Sequence, residues 1–170
     1  MSGIVNSIRT RSAVIGIPPS EKAHGFSMYM GSGADYTNNA WVEAGSHDSG
    51  NWVVRWASHN QISNGRWTPG KPGAYLCGYS VQEQYLDQNE RLRTELRRNG
   101  NETNGATIFA SNFSWSYNSS DYTEGNCGSS IVIINNQTDY VSLWVFQESG
   151  SNNPLVVNRT EFWGTYYGAI

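Results

Sequence analysis

Apolar and polar residues alternate along this chain in short runs, and each run is closed by glycine, proline or asparagine. The run Ser12-Ala13-Val14-Ile15-Gly16-Ile17 is β-branched and stops at Pro18-Pro19. Gly25 to Met30 alternates and ends in Gly31-Ser32-Gly33, and Asn51 to Trp56 makes a third run. Thr68-Pro69-Gly70-Lys71-Pro72-Gly73 is a turn-rich loop, because proline presets its own φ and glycine reaches positive φ freely. Ala74 to Val81 is apolar enough for a strand buried on both sides.

Val81 to Asn99 can be read in two ways. Tyr85, Leu92 and Leu96 fall at helical spacing, and Asn99-Gly100 suits a helix stop. Alternatively, Asp87-Gln88-Asn89-Glu90 is a polar turn and Arg91 to Arg97 a strand, with Leu92, Thr94 and Leu96 pointing one way. On that reading Asn99-Gly100 is a hairpin turn. The rest of the chain decides for the strand. Ala106 to Ala110, Phe113 to Tyr117, Ser129 to Ile134, Tyr140 to Phe146 and Asn158 to Ile170 all carry strand patterns. About ten short strands with frequent turns predict an all-β sandwich or jelly roll.

The order of these elements is specific. Pro72-Gly73-Ala74-Tyr75 opens a glycine–aromatic strand, and Leu92 leads through a strand to Asn99-Gly100. Ile131 to Ile134 precedes Asp139-Tyr140-Val141-Ser142-Leu143, and Phe162-Trp163-Gly164 closes the pattern. This order resembles the C1q/TNF-like domain, an antiparallel two-sheet jelly roll. Thr138 departs from the pattern, because a glycine usually precedes that aspartate, so a different turn geometry is expected there. The first seventy residues match loosely, with an added aromatic segment around Trp41, Trp52 and Trp56. The resemblance implies a homotrimer formed through one sheet and the chain termini. It also allows calcium at a trimer axis, for which no ligands can be named. Asp139 reads as a turn-capping group.

Length changes the picture little: 170 residues suit one domain, expected over 12–170 behind an N-terminal arm at 1–11. Charged residues are only 15% and the net charge is −3, so there is no basic run to grip nucleic acid. Arg91, Arg93, Arg97 and Arg98, interrupted by Glu95, read as a solvated face. No apolar stretch is long enough for a membrane helix, and the N-terminus carries neither a signal-peptide pattern nor a myristoylation glycine. Five N-x-[ST] triplets, at Asn101, Asn112, Asn118, Asn136 and Asn158, follow from the abundance of Asn, Ser and Thr. Cys77 and Cys127 allow one disulfide, although a buried free thiol is the commoner fate of a cysteine in an apolar run such as Cys77's.

Candidate chemistry is sparse. His24, His47 and His59 have no metal spacing, and Gly125 to Ser129 matches no nucleophile elbow. Neither catalytic residues, metal nor cofactor is expected, and the protein is expected not to be an enzyme. The last strand is aromatic on both faces, Phe162 and Tyr166 on one, Trp163 and Tyr167 on the other. One face can fill the core and the other can meet a neighbouring subunit, so these four are the trimer-interface candidates. Trp41, Trp67 and Trp115 are candidates for stacking on glycan rings. The expected role is a virion structural protein of a bacteriophage, made in the host cytoplasm. It would be a capsid decoration or cement trimer, its arm tied to a shell, or a small fibre knob. Its partners would be capsid or tail proteins and a host-surface glycan, without membrane insertion. The alternative is an extracellular, C1q-like recognition module for glycan or protein.

Overall fold

The computed structural model describes residues 24–32, 35–45, 52–58, 62–86, 89–100, 107–116, 122–155 and 158–170. The expected arm at 1–11 and the expected strand at Ser12 to Ile17 lie outside them. In chain order the strands are β1 (Gly25–Met30), β2 (Asp35–Tyr36), β3 (Trp41–Glu43), β4 (Trp52–Ala57), β5 (Ile62–Ser63) and β6 (Arg66–Trp67). There follow β7 (Gly73–Leu86), β8 (Arg91–Arg98), β9 (Thr107–Trp115), β10 (Tyr122–Ile134), β11 (Val141–Glu148), β12 (Asn153–Pro154) and β13 (Glu161–Gly168). Among the described residues there is no helix.

Two antiparallel sheets enclose the core. One has the order β10-β7-β13-β1-β4 and the other β5-β6-β11-β8-β9, with β3 also pairing with β11. Strands distant in sequence are neighbours in both sheets: β13 lies between β7 and β1, and β11 between β6 and β8. That is a jelly roll, in which the chain crosses repeatedly from sheet to sheet.

The ambiguous stretch resolves into the end of β7 and the whole of β8. Leu92, Thr94 and Leu96 are fully buried, as alternation places them. The strand prevails over the helical period because β9 and β11 flank β8 on either side and satisfy its backbone groups. The two runs around Ser111 join into the single strand β9, and the run at Ser129 extends back to Tyr122.

Asn99-Gly100 does not make a two-residue hairpin, since β9 resumes only at Thr107, opposite Arg98. Asn99 takes φ of 52°, a conformation Asn tolerates better than most residues. From there its amide donates to Asp139 Oδ1 at 2.8 Å, and its carbonyl oxygen accepts the Tyr140 N–H at 3.0 Å. Asp139 Oδ2 accepts the N–H groups of Asn135 and Asn136 at 2.9 and 3.0 Å, so it caps the turn as expected. Thr138 is not among the residues at positive φ, so this turn does not require the family's glycine. Burial opposes ionisation of Asp139, but bonds from Asn99, Asn136 and Asn135 outweigh it and hold the carboxyl below its ordinary 3.8. With a depressed folded-state pKa, its contribution is complete above the ordinary value and is lost as pH falls through the folded one. Asp139→Ala is expected to cost about 1–2 kcal/mol at neutral pH, read as a lower urea midpoint. The difference from wild type should shrink in acid.

The core is aromatic at its centre. Phe26 lies 4.5 Å from Trp67 and 4.7 Å from Phe162, ring centre to ring centre. Trp67 meets Tyr75 at 5.1 Å, and Tyr75 meets Tyr166 at 5.3 Å. Both cysteines are free, Cys77 in the core and Cys127 on the surface. Burial pushes the Cys77 thiol well above its ordinary pKa, making it inert.

Candidate functional site

Each sheet turns its second face outward, and the two outward faces differ in chemistry. On the five-stranded sheet, pairing places Trp163 beside Gly78 and Ser27, and Leu76 beside Ile131 and Thr165. Trp163 lies over Gly78, where a Cβ would come within 2.3 Å of the indole. Trp56 covers Gly25 in the same way, at 2.7 Å. Tyr167 is 68% exposed, Trp56 50% and Ile131 38%. From Ala74 to Ser80 and from Cys127 to Ile133, the outward positions of β7 and β10 carry no charge. Arg55 and Glu161 pair at 2.6 Å toward β4, beside Tyr29.

The six-stranded sheet turns out an aromatic and charged face. Arg91, Arg93, Glu95 and Arg97 alternate outward on β8, opposite Glu148, Phe146, Trp144 and Ser142 of β11. Trp41 of β3 joins this face beside Phe146, with ring centres 5.6 Å apart. Arg97 pairs with Glu95 at 2.8 Å and stacks on Trp41 and Trp144, 4.5 Å from each ring. The arginine run is therefore not solvated throughout: Arg97 and Glu95 are about 95% buried, because the indoles cover the pair, whereas Arg91, Arg93 and Arg98 are half-buried. Arg66 bonds both carboxylate oxygens of Glu43 and stacks on Tyr140. Arg91 pairs with Glu148.

At the β8–β9 edge this face opens into a cavity of about 320 Å³ lined by Arg91, Arg93, Phe113 and Trp115. Pairing sets Arg91 opposite Trp115 and Arg93 opposite Phe113. Arg91 sits 5.7 Å from the Trp115 ring, whereas Arg93 leans toward Trp41 and Phe146, at 5.2 and 5.9 Å.

The sequence-expected residues separate accordingly. Trp163 and Tyr167 lie on the outer face of the five-stranded sheet, while Phe162 and Tyr166 are enclosed in the core, where a neighbouring subunit cannot reach them. Trp67 is likewise corrected: it is 1% exposed between Phe26 and Tyr75, with no ring face left for a sugar. Trp115 borders the cavity, and Trp41 stands behind it beneath Arg93 and Arg97. Sequence reasoning missed Phe113, Arg91 and Arg93 as a group. The usable signal was alternation, arginine at every second position of one strand and aromatics at every second position of the next.

Arginine over aromatic rings, with an open cavity beside them, can bind flat or anionic groups. Among the described residues, a strongly perturbed acid lies elsewhere. Glu83, buried on β7, has no hydrogen-bond partner for either carboxylate oxygen. Burial, with Glu90 adding repulsion, pushes its pKa up to about 9. Among the described residues, no group of His, Cys, Asp and Glu is arranged to hold a metal ion.

Solved structures that share this arrangement include TNF and C1q domains. Eiger TNF from S. frugiperda superimposes with a TM-score of 0.60 at 14% identity, over 86% of this chain and 93% of that one. This is a C1q/TNF-like jelly-roll fold. The globular domain of zebrafish complement 1qA matches the jelly roll with a TM-score of 0.54 at 15% identity, over 85% of this chain and 98% of that one. Murine APRIL matches at 0.58 and 9%, over 84% and 98%. No protein-family model matches the chain, and neither does any curated protein.

Proposed function

We propose that this C1q/TNF-like protein is a non-enzymatic homotrimer serving as a structural component of a virion, either a capsid decoration or cement protein or a small fibre knob. The observation that supports the trimer is the outward face of the five-stranded sheet. Ile131, Leu76, Trp163 and Tyr167 form an apolar surface whose neighbouring β7 and β10 positions carry no charge. A sheet face of this kind is a recurrent site of self-association, and a closed three-fold assembly buries it without leaving a free copy of the surface. A decoration trimer or knob asks of its subunit stable packing and self-association, which the enclosed aromatic core and this face supply. The second reading, an extracellular recognition module, is favoured by the exposed Phe113 and Trp115 beside two arginines.

Sedimentation tests the trimer. Wild-type protein is expected to run as three chains. Ile131→Glu, which puts a charge on a site 38% exposed in the single chain, should give folded monomers. A wild-type monomer at the highest soluble concentration would overturn the trimer. Peptide mass spectrometry of purified particles from the natural source tests the virion, and absence of the chain from them would favour the second reading.

A further inference from the structure

We infer that the cleft at the β8–β9 edge binds a carboxylate-bearing sugar, a uronic or sialic acid residue of a glycan, with Arg93 holding the acid group and Phe113 the ring. The inference rests on the described cleft itself and does not require the trimer, because it uses the outward face of the opposite sheet.

Charge pairing points to Arg93. The arginines of this face are otherwise matched: Arg97 with Glu95, Arg66 with Glu43 and Arg91 with Glu148. Among the described residues Arg93 has no carboxylate partner, and it lines the cavity. Its guanidinium is held by the Trp41 and Phe146 rings, which orient it without neutralising it. A planar fork held in this way can present two parallel N–H donors to an incoming carboxylate.

The aromatics point to a sugar. Phe113 is 61% exposed, and among the described residues no ring or cation is stacked on it. Trp115 is 40% exposed two positions further along the same strand face, about 7 Å away by strand rise. A pyranose carries axial C–H groups on one face, which pack on an aromatic ring, and hydroxyls at its rim, which stay free for Arg91 and water. A cavity of about 320 Å³ is at the small end of ligand sites and suits one or two rings. An extended acidic peptide would use the charge but leave both rings uncovered.

The experiment is tryptophan fluorescence titration of the whole chain with trigalacturonic acid, its methyl ester and a tetraglutamate peptide, alongside an array of uronic and sialic acid glycans. The acid sugar, or a carboxylated glycan of the array, should bind, while its ester and the peptide bind at least tenfold more weakly. Arg93→Gln is expected to abolish the preference for acid over ester, and Phe113→Ala to weaken both about tenfold, the scale of one charge-assisted bond or one stacked ring. Melting curves should show both variants folded, since Phe113 is a surface residue. Equal binding of acid and ester, equal binding of the peptide, or no binding of any carboxylated glycan at millimolar concentration would each overturn the inference. Unchanged sugar binding by a monomeric Ile131→Glu protein would separate this result from the fate of the trimer.

Discussion

Trp67→Ala is expected to lower the unfolding free energy by about 3–5 kcal/mol, the upper range for removing a large buried aromatic. Trp67 is 1% exposed and touches rings on two sides, Phe26 at 4.5 Å and Tyr75 at 5.1 Å. It comes from the short strand β6 of one sheet, while Phe26 and Tyr75 come from β1 and β7 of the other. Its loss would therefore open a void between the sheets, where neither sheet can collapse without breaking its own register. The opposite change at the same place gives a second reading of the packing. Gly164 has no side chain because its space is taken: a Cβ would lie 2.8 Å from Phe26 Cε1 and 3.0 Å from both Cys77 Sγ and Trp67 Cζ3. Gly164→Ala should cost about 1–3 kcal/mol through overpacking. Urea denaturation measures both, and for a domain of this size the tryptophan variant should melt roughly 10 °C lower. A midpoint within error of wild type for Trp67→Ala would mean that the indole is not enclosed as described.

Glu83→Gln is expected to do the reverse and stabilise the protein, in a manner that depends on pH. The Glu83 carboxyl lies within the fold without a hydrogen-bond partner, and its pKa is raised from 4.5 to about 9 by burial first and Glu90 second. Below 4.5 both folded and unfolded chains hold the proton, and the group adds no pH dependence. Between 4.5 and 9 the unfolded chain has lost the proton that the folded chain keeps, so stability falls as pH rises. The slope is about 1.4 kcal/mol per pH unit, which gives a loss on the order of 3 kcal/mol by neutral pH. Glutamine has nearly the shape of the protonated acid and cannot ionise, so it removes the slope. Denaturation of both proteins at about pH 4 and about pH 8 is the test, with near-equal stability in acid and a clear advantage for the glutamine at the higher pH. Equal stability at both would show that the carboxylate reaches water or a partner when it ionises.

The strand pattern of this chain was legible because strand alternation is local. Whether Leu92, Thr94 and Leu96 share a face follows from the two-residue repeat alone, and all three are buried. The same repeat placed Trp163 and Tyr167 opposite Phe162 and Tyr166 on the last strand. The glycine–aromatic strand, the Asp139 turn and the closing Phe162-Trp163-Gly164 carried the C1q/TNF-like topology, because each marks a turn or a close contact of the fold. Some of the asparagines also have a local role: Asn39, Asn64, Asn89, Asn99 and Asn158 sit at positive φ, where their short polar side chains are tolerated.

Only the tertiary structure decided which side of each strand faces another sheet and which faces solvent. Trp67 and Trp115 look alike in sequence, each an aromatic beside polar neighbours, yet one is enclosed between sheets and the other borders a cavity. Strand pairing across long sequence separations makes that difference, bringing Trp67 opposite Val141 and Trp115 opposite Arg91. It also paired Arg97 with Glu95 under two indole rings and Arg91 with Glu148, while Arg93, among the described residues, has no carboxylate partner on that face. Alternation along a strand is a property of neighbouring residues and can be read from them. Burial and charge balance are sums over strands that meet only when the chain has folded.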